Sequence, residues 1–239
     1  MDQEARKKFE KIVSMAKEYK AKADEKIKKF NDGIKKGEMD CQLCRQPHCC
    51  NQITPIFLYE AALIAHFLVD NHTEKTHRLL ETGALQEEYM EKNARTIIYD
   101  GVPMGAQGAS LWFVRQQPCE FLVFGKCQIY DIRPATCATY WVPKSSRTKC
   151  GSVIQNPDDM DGGRITADLM TLDMEFTKRA FQLPGLVFPR SIGAQVQTVL
   201  ALIMDERPAF SNIPKSVIAD ASKDMDLGFI HKAMRDEER

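Results

Sequence analysis

The stretch "IFLYEAALIAHFLV", residues 56–69, is the longest apolar run in the chain and limits the kind of fold that the rest can build. It is shorter than the ~18–20 residues that a helix needs to span a bilayer, and it contains Glu60 and His66. It therefore predicts a buried core helix, with His66 as a core side chain. Thr54 and Pro55 predict where this helix begins, because threonine caps helices and proline fits a first turn.

Helical periodicity continues on both sides of this run. Residues 3–32 lack Gly and Pro and repeat apolar side chains at three- and four-residue steps, as an amphipathic helix does. "NDG" at 31–33 predicts where that helix ends. Further helices are predicted over about 73–98 (with an interruption at Gly83), 166–182, 190–205 and 214–235, and loops over 100–110 and 142–164.

One segment has β character. Phe121–Phe124, Gly125-Lys126 and the residues from Cys127 to Tyr130 predict a short hairpin that turns at Gly125-Lys126. One or two helical turns are predicted to open at Pro134. The predicted fold class is mainly α, a single helical domain with a small cysteine-bearing hairpin. We divide the chain into an N-terminal amphipathic helix (1–36), a cysteine-cluster metal-binding domain (37–150) and C-terminal helices that pack on the same domain (151–239).

Composition gives no electrostatic reason to expect a polyanionic partner. Thirty-three basic side chains balance thirty-three acidic ones, so neither nucleic acid nor an anionic membrane is indicated. The N-terminus lacks the apolar segment of a secretion signal, and we expect a cytoplasmic protein. In that reducing compartment cysteines rarely pair as disulfides.

The eight cysteines stand in two blocks with none between them. The first block is Cys41, Cys44, Cys49 and Cys50, and the second is Cys119, Cys127, Cys137 and Cys150. The Cys-x-x-Cys spacing at the start of the first block is one at which a tight turn can aim two thiolates at one metal. Soft thiolates select zinc, Cu(I) or iron–sulfur clusters over magnesium and calcium. The clustering therefore indicates metal, with disulfides as the alternative.

Counting ligands leaves several arrangements open. Eight thiols can complete two four-thiolate sites, or one site with reserves. Cys49 and Cys50 are adjacent, and adjacent residues seldom bind the same ion because their side chains point to opposite sides of an extended backbone. One of the two is therefore expected to face a second site or the core. His48 is an alternative ligand, and Cys150, in a polar loop, is the candidate for a redox-sensing thiol. Cations that could temper the charge of the cluster, by sequence proximity alone, are Arg45, Lys126 and Arg133.

The two blocks together resemble a known family. "CQLC" followed by "CC", and later "CEFLVFGKCQIYDIRPATC", are similar to the zinc- or iron-chelating domain of the YkgJ-type cysteine-cluster proteins, which include the flagellin lysine N-methylases. The similarity covers residues 41 to about 141. Two departures are Ala138, where the family commonly has Arg, and a Cys44–Cys49 spacing one residue longer than the commonest form. The resemblance implies a metal or iron–sulfur site formed by Cys41, Cys44, Cys49, Cys50, Cys119, Cys127 and Cys137.

Two functions follow as hypotheses. In the first, an iron–sulfur cluster (such as 4Fe–4S) or Zn²⁺ belongs to an enzyme that modifies protein side chains, lysine methylation being the example that the resemblance supplies. A chain of 239 residues can fold without metal, which favours a functional role for it. In the alternative, Zn²⁺ is structural in a non-enzymatic adaptor or binding protein. The lysine-rich face of helix 3–32 is expected to be solvated, with a surface for a protein substrate or partner as the alternative.

Overall fold

The chain folds as a mainly helical protein, as the sequence predicts. The computed structural model describes residues 3–33, 50, 54–71, 73–94, 98–99, 102–103, 118–139, 160–183 and 190–204. The helices are α1 (Gln3–Gly33), α2 (Leu58–Asn71), α3 (Thr73–Ala94), α4 (Ala135–Thr139), α5 (Met160–Phe181) and α6 (Ile192–Ile203). The helix predicted over 214–235 and most of the predicted 142–164 loop lie outside the described residues.

The strands are two residues long and form antiparallel pairs. They are β1 (Pro55–Ile56) with β6 (Arg190–Ser191), β2 (Ile98–Tyr99) with β3 (Val102–Pro103), and β4 (Leu122–Val123) with β5 (Lys126–Cys127). The last pair is the predicted cysteine-bearing hairpin. None of the helices in the described part of the chain is both long and apolar enough to cross a membrane.

The apolar run 56–69 forms the centre of the fold. Seven side chains of α2 in the hydrophobic core are 0% exposed: Leu58, Tyr59, Ala61, Ala62, Ile64, Ala65 and Leu68. The helix packs on α1, α5 and α6, so it is covered from several sides. His66 is an exception, because its side chain is partly exposed, with Nε2 3.9 Å from Glu10 Oε2 and its ring against Phe9. The prediction of a core histidine is therefore wrong.

The helix begins three residues later than predicted. Pro55 and Ile56 pair with β6 instead, and the first helical hydrogen bond runs from Ala61 N–H to Phe57 O at 2.9 Å. Phe57 is thus the residue that precedes the first turn, and its own N–H donates to Glu60 Oε2 at 3.0 Å. Glu60, not Thr54, therefore accepts the hydrogen bond of the Phe57 N–H at the beginning of the helix. The predicted start at Thr54–Pro55 is wrong.

Helix α1 is the amphipathic helix that the periodicity predicts. Its apolar stripe is buried against α2 and α5 and consists of Phe9, Ile12, Val13, Met15, Ala16, Tyr19, Ala23 and Ile27. Its exposed face mixes charges of both signs, and two ion pairs tie it to α5: Lys26 Nζ to Asp168 Oδ2 at 3.0 Å and Arg179 Nη1 to Glu18 Oε2 at 2.8 Å. One core therefore includes α1, α2 and α5, while the division of the chain at residues 36 and 150 stays a prediction.

Helices α3 and α6 cross at two glycines. A Cβ on Gly193 would lie 2.1 Å from Leu79 O and 2.8 Å from Gly83 Cα, and a Cβ on Gly83 would lie 2.6 Å from Gly193 Cα. The two backbones touch, so each position requires a residue without a side chain. The predicted interruption of the helix at Gly83 is therefore wrong: α3 continues through it, and the glycine is there for the helix crossing.

Two other helix boundaries differ from the predicted ones. Helix α3 ends at Ala94, because Ile98–Tyr99 pair with Val102–Pro103 rather than continuing the helix into the predicted loop. Helix α5 begins at Met160, before two glycines that led us to predict a loop there. Each glycine in a helix costs only about 1 kcal/mol, which the buried stripe of Ile165, Leu169, Leu172 and Phe176 offsets.

Candidate metal centre

The cysteine hairpin is a two-residue turn between two-residue strands. Leu122 pairs with Cys127, and Val123 with Lys126. The turn residues Phe124 and Gly125 have φ of 48° and 74°. Positive φ at both positions is the type I′ geometry, whose twist matches that of the strands. The turn is thus Phe124-Gly125 rather than the predicted Gly125-Lys126, and it sets Cys127 in the return strand, opposite Leu122.

A backbone hydrogen bond joins the two cysteine blocks. Cys119 N–H donates to Cys50 O at 2.6 Å. Cys119 O in turn accepts the N–H of Leu122 at 2.8 Å, which fixes Cys119 at the base of the hairpin. Residues far apart in the sequence are thereby neighbours, with the first block's Cys50 against the second block's Cys119.

The sulfurs of Cys119 and Cys127 receive the same local support. Each thiol is hydrogen-bonded by the backbone N–H two residues further on, that of Phe121 for Cys119 and that of Ile129 for Cys127. N–H donors aimed at sulfur stabilise thiolate ligands and tune the metal that they hold. The repeated arrangement is what a thiolate metal site needs around its ligands.

Burial opposes ionisation of these thiols. It raises the pKa of Cys119 to about 11, more than the N–H of Phe121 can offset, and the nearby Cys127 raises it further. Burial also raises the pKa of Cys127, although the N–H of Ile129 and the charge of Arg133 act in the other direction. At neutral pH both sulfurs are therefore protonated thiols, and a bound metal has to displace their protons.

Two cations lie close to the sulfurs. Arg133, one of the predicted neighbours, lowers the pKa of Cys127 and stacks its guanidinium on Tyr130, 4.4 Å from the ring centroid. Lys75 was not predicted: it comes from α3, lowers the pKa of Cys119 and donates a hydrogen bond to Gln128. No local sequence signal could have found Lys75, because α3 reaches the hairpin only through the fold. Of the other predicted cations, Lys126 is exposed in the hairpin and Arg45 lies outside the described residues.

Cys137 stands on α4, whose first two residues are hydrogen-bonded to the body. Ala135 N–H donates to Glu60 Oε1 at 2.6 Å, and Thr136 Oγ1 donates to Pro55 O at 2.9 Å. Helix α4 begins just after Pro134, as predicted. Cys137 itself is exposed, unlike the half-buried Cys119 and Cys127.

The described thiols do not complete a metal site by themselves. Over the part of the chain that the structure describes, no three His, Cys, Asp or Glu side chains are grouped so that they could hold an ion. The structure brings Cys50 to Cys119 and Cys119 to Cys127, whereas Cys137 is not grouped with them. None of these four cysteines is in a disulfide. The other predicted ligands, Cys41, Cys44 and Cys49, lie outside the described residues, as do His48 and Cys150, so a complete site needs ligands from there.

A shallow, open cleft borders Cys119. Its walls come from α3, from the start of α6 and from the residues around Cys119. Thr82 Oγ1 donates to Glu120 Oε1 at 3.3 Å on one wall, and Leu79 and Ile192 form an apolar part of the lining. Cys119, at the base of the hairpin, is therefore next to space that opens to solvent.

The comparison with protein families agrees with this arrangement. Residues 40–153 match the model of the family described as "CxxCxxCC: Putative zinc- or iron-chelating domain". Residues 40–153 are thus similar to a zinc- or iron-chelating domain. The matched region includes both cysteine blocks and the hairpin that carries Cys127. No curated protein and no solved structure matches the chain.

The residues of this domain fit the metals in its description. Thiolate sulfur is the preferred donor for Zn²⁺ and for iron–sulfur clusters and a poor one for Mg²⁺ and Ca²⁺. The N–H donors of Phe121 and Ile129 and the charges of Arg133 and Lys75 are suited to neutralise a cluster of thiolates. The donor set therefore fits a zinc or iron centre.

Proposed function

We propose that the protein holds a zinc ion or an iron–sulfur cluster in a thiolate site formed from both cysteine blocks. The ligands that we assign are Cys41, Cys44, Cys49, Cys50, Cys119, Cys127 and Cys137. The observation that carries the proposal is the hydrogen bond from Cys119 N–H to Cys50 O, because it sets the two blocks side by side. The matched domain, residues 40–153, supports it.

We further propose that the centre serves an enzyme that modifies protein side chains in the cytoplasm, lysine methylation being the first reaction to assay. The cleft beside Cys119 supports this version, because a catalytic metal needs a position that substrate can reach. The exposed Cys137 supports it as well, since a ligand at the surface leaves the centre accessible. When bound, the metal supplies Lewis-acid or electron-transfer chemistry. Cys119 and Cys127 would then hold it, and Arg133 and Lys75 would offset the negative charge of the thiolates.

A structural zinc site in an adaptor or binding protein is the second candidate. The burial of Cys119 beneath Lys75 and the hairpin favours it, because structural zinc sites are closed. In this version, metal loss and unfolding are coupled. A Cys127→Ser variant that folds but has lost activity supports the enzyme, and one that unfolds supports the structural site.

The first experiment is elemental analysis and absorption spectroscopy on protein purified without oxygen. Matched iron and sulfide with a band near ~400 nm would identify an iron–sulfur cluster, and stoichiometric zinc in colourless protein would identify a zinc site. Cys119→Ser is expected to lower the metal content, whereas Cys150→Ser, a thiol outside the assigned set, is the matched control and should keep it. Wild-type protein that binds neither metal would overturn the proposal.

A partner surface on α1 is a separate proposal. Deleting α1 cannot test it, because its apolar stripe belongs to the core and removal would expose that core. Charge reversal on the exposed face is the suitable change: Lys7→Glu together with Lys11→Glu should weaken partner capture, and the fold should survive because both side chains are exposed. Unchanged capture by the folded double variant would contradict it.

A further inference from the structure

A buried polar network lies where α2, α4 and α5 meet. Tyr59, Glu60 and Asp173 are each 0% exposed, although each carries an ionisable group. The described side chains with charge or titratable groups that act on them are Lys20 and Asp24, both from α1. Buried carboxyl groups are costly unless they are hydrogen-bonded or neutral, so this network needs a physical reason.

Glu60 uses both carboxyl oxygens to join two helix starts. Oε2 accepts the N–H of Phe57, which precedes α2, at 3.0 Å. Oε1 accepts the N–H of Ala135, the first residue of α4, at 2.6 Å, and also the hydroxyl of Tyr59 at 3.4 Å. First-turn N–H groups have no partner within their own helix, so one side chain completes both starts. Helix α4 carries Cys137 and belongs to residues 118–139, which we call the cysteine segment. Glu60 thus connects the helical core to this segment.

Asp173 of α5 accepts hydrogen bonds from the first turn of α2. Its Oδ1 accepts the N–H of Tyr59 at 3.2 Å, and the N–H of Leu58 also donates to this carboxyl group. Its Oδ2 is buried and has no hydrogen-bond partner among the described residues. Every contact of Glu60 is a donor, which favours its anion, whereas the solitary Oδ2 of Asp173 has no donor to stabilise a charge. Of the two acids, Asp173 is the one whose geometry favours the protonated form.

We infer that Glu60 and Asp173 are a positioning pair for the cysteine segment: Glu60, as the anion, holds the α4 start and hence Cys137, and Asp173 holds α2 as the neutral acid. The directions of the pKa shifts of the two carboxyl groups agree with this geometry. Burial raises the pKa of Asp173 to about 8 and that of Glu60 to about 7, and the N–H donors and Lys20 partly offset the rise for Glu60. The part of the inference that concerns metal rests on the proposed function; the rest does not.

The first test compares Glu60→Gln with a matched control. Gln presents an NH₂ group to one of two backbone donors, so the α4 start should loosen. Amide exchange in residues 135–139 should accelerate about tenfold, and Zn²⁺ affinity, measured against a chromogenic chelator, should fall about tenfold. The control is Glu87→Gln, because Glu87 Oε1 likewise accepts a backbone N–H, that of Ser191 at 3.1 Å, but at the start of α6 rather than of α4. It should leave both quantities within twofold of wild type.

The second test uses Asp173→Asn and covers the case in which Glu60→Gln does not fold. A carboxyl group whose pKa is raised by folding stabilises the protein at low pH and loses that effect as pH rises through the raised value. From pH 7 to 8.5 the unfolding equilibrium constant of wild type should therefore rise several-fold, by at most about tenfold per pH unit for one proton. Asparagine keeps the neutral acceptor and has no proton to lose, so the rise should shrink to less than twofold.

The outcomes separate this inference from the metal proposal. Faster α4 exchange in Glu60→Gln but not in Glu87→Gln supports the pair even if the protein binds no metal, a result that would overturn the proposed function alone. Equal exchange in both variants overturns the role of Glu60. A wild-type pH slope in Asp173→Asn overturns the assignment of the proton to Asp173.

Discussion

The helical body and the cysteine segment are held in place in different ways. In the body, whole faces of α1, α2, α5 and α6 are buried against one another. In the segment 118–139, only Phe121, Ile129, Pro134 and Ala135 are buried. The body can therefore fold on apolar burial, whereas the segment depends on a few specific links.

Those links are well defined. The Phe121 ring packs edge-to-face on Phe67 of α2 with 6.3 Å between centroids. The backbone N–H of Cys119 donates a hydrogen bond to Cys50 O, and that of Ala135 donates one to the Glu60 carboxylate. A metal held by thiols from both blocks would add the strongest link of all. Metal should therefore matter to the stability of the segment and much less to that of the body.

Phe176→Ala should have the largest effect. The ring is 0% exposed and lies between Tyr19, Tyr59 and Phe181, so its removal leaves a cavity where three helices meet. We expect the free energy of unfolding to fall by about 3–5 kcal/mol, measured by urea denaturation. Met174→Ala, on the exposed side of the same helix, should cost under about 0.5 kcal/mol. Similar losses in the two variants would mean that α5 is not anchored in a body core.

Gly193→Ala should destabilise the body by about 1–3 kcal/mol, although alanine is the better helix former. The new Cβ would meet the backbone of α3, which no side-chain rotation can relieve. Amide exchange should accelerate in α3 and α6 together. The control is Gln197→Ala on the same helix, where no backbone approach is broken. A stabilised Gly193→Ala protein would disprove the close crossing.

Removal of metal with a chelator should loosen the segment and spare the body. Exchange protection over 118–139 should fall, while that of α2 and α5 and the far-ultraviolet circular dichroism should change little. The body needs no metal because its apolar faces are already buried. Complete unfolding on chelation would instead make the metal structural for the whole chain and would favour the adaptor version of the function.

Phe124→Asn should produce the smallest effect, and a stabilising one. The φ of 48° is unfavourable for a phenylalanine and tolerated by asparagine, and the ring is 99% exposed, so it gains nothing from burial. We expect a gain of about 0.5–1 kcal/mol in the free energy of unfolding. Phe124→Leu removes the aromatic ring but keeps the strained backbone, so it should give no gain. Equal stabilities of the two variants would contradict a turn strained at this residue.

Local sequence patterns predicted most of the helices and the hairpin. The role of Gly83 and some helix boundaries depend on long-range contacts, which local patterns do not show. The stripe of α1 and the hairpin before Cys127 follow from periodicity and turn residues, which are local properties. Gly83 was predicted to break a helix because only its low propensity is visible in sequence. Its contact with Gly193, more than a hundred residues away, gives it a packing role instead.

The same limit applies to the site. The cysteine spacing predicted a metal domain, and the family match over residues 40–153 confirms it. Glu60 was recognised only as a charge that interrupts an apolar run, because its bond to Ala135 spans 75 residues of sequence. Lys75 was overlooked for a similar reason, since no sequence pattern around Lys75 indicates that it lies near Cys119. Neighbours supplied by other helices are set by packing, which spacing along the chain does not encode.

X-ray absorption spectroscopy on the metal-loaded protein tests the central claim most directly. The cysteine site predicts a first shell of sulfur, with Zn–S near ~2.3 Å for zinc, or the sulfur and iron shells of a cluster for iron. Cys119→Ser should reduce the sulfur count or abolish binding, because Cys119 belongs to the assigned set. A first shell made only of nitrogen and oxygen near ~2.0–2.1 Å would contradict a thiolate centre, whatever the metal content.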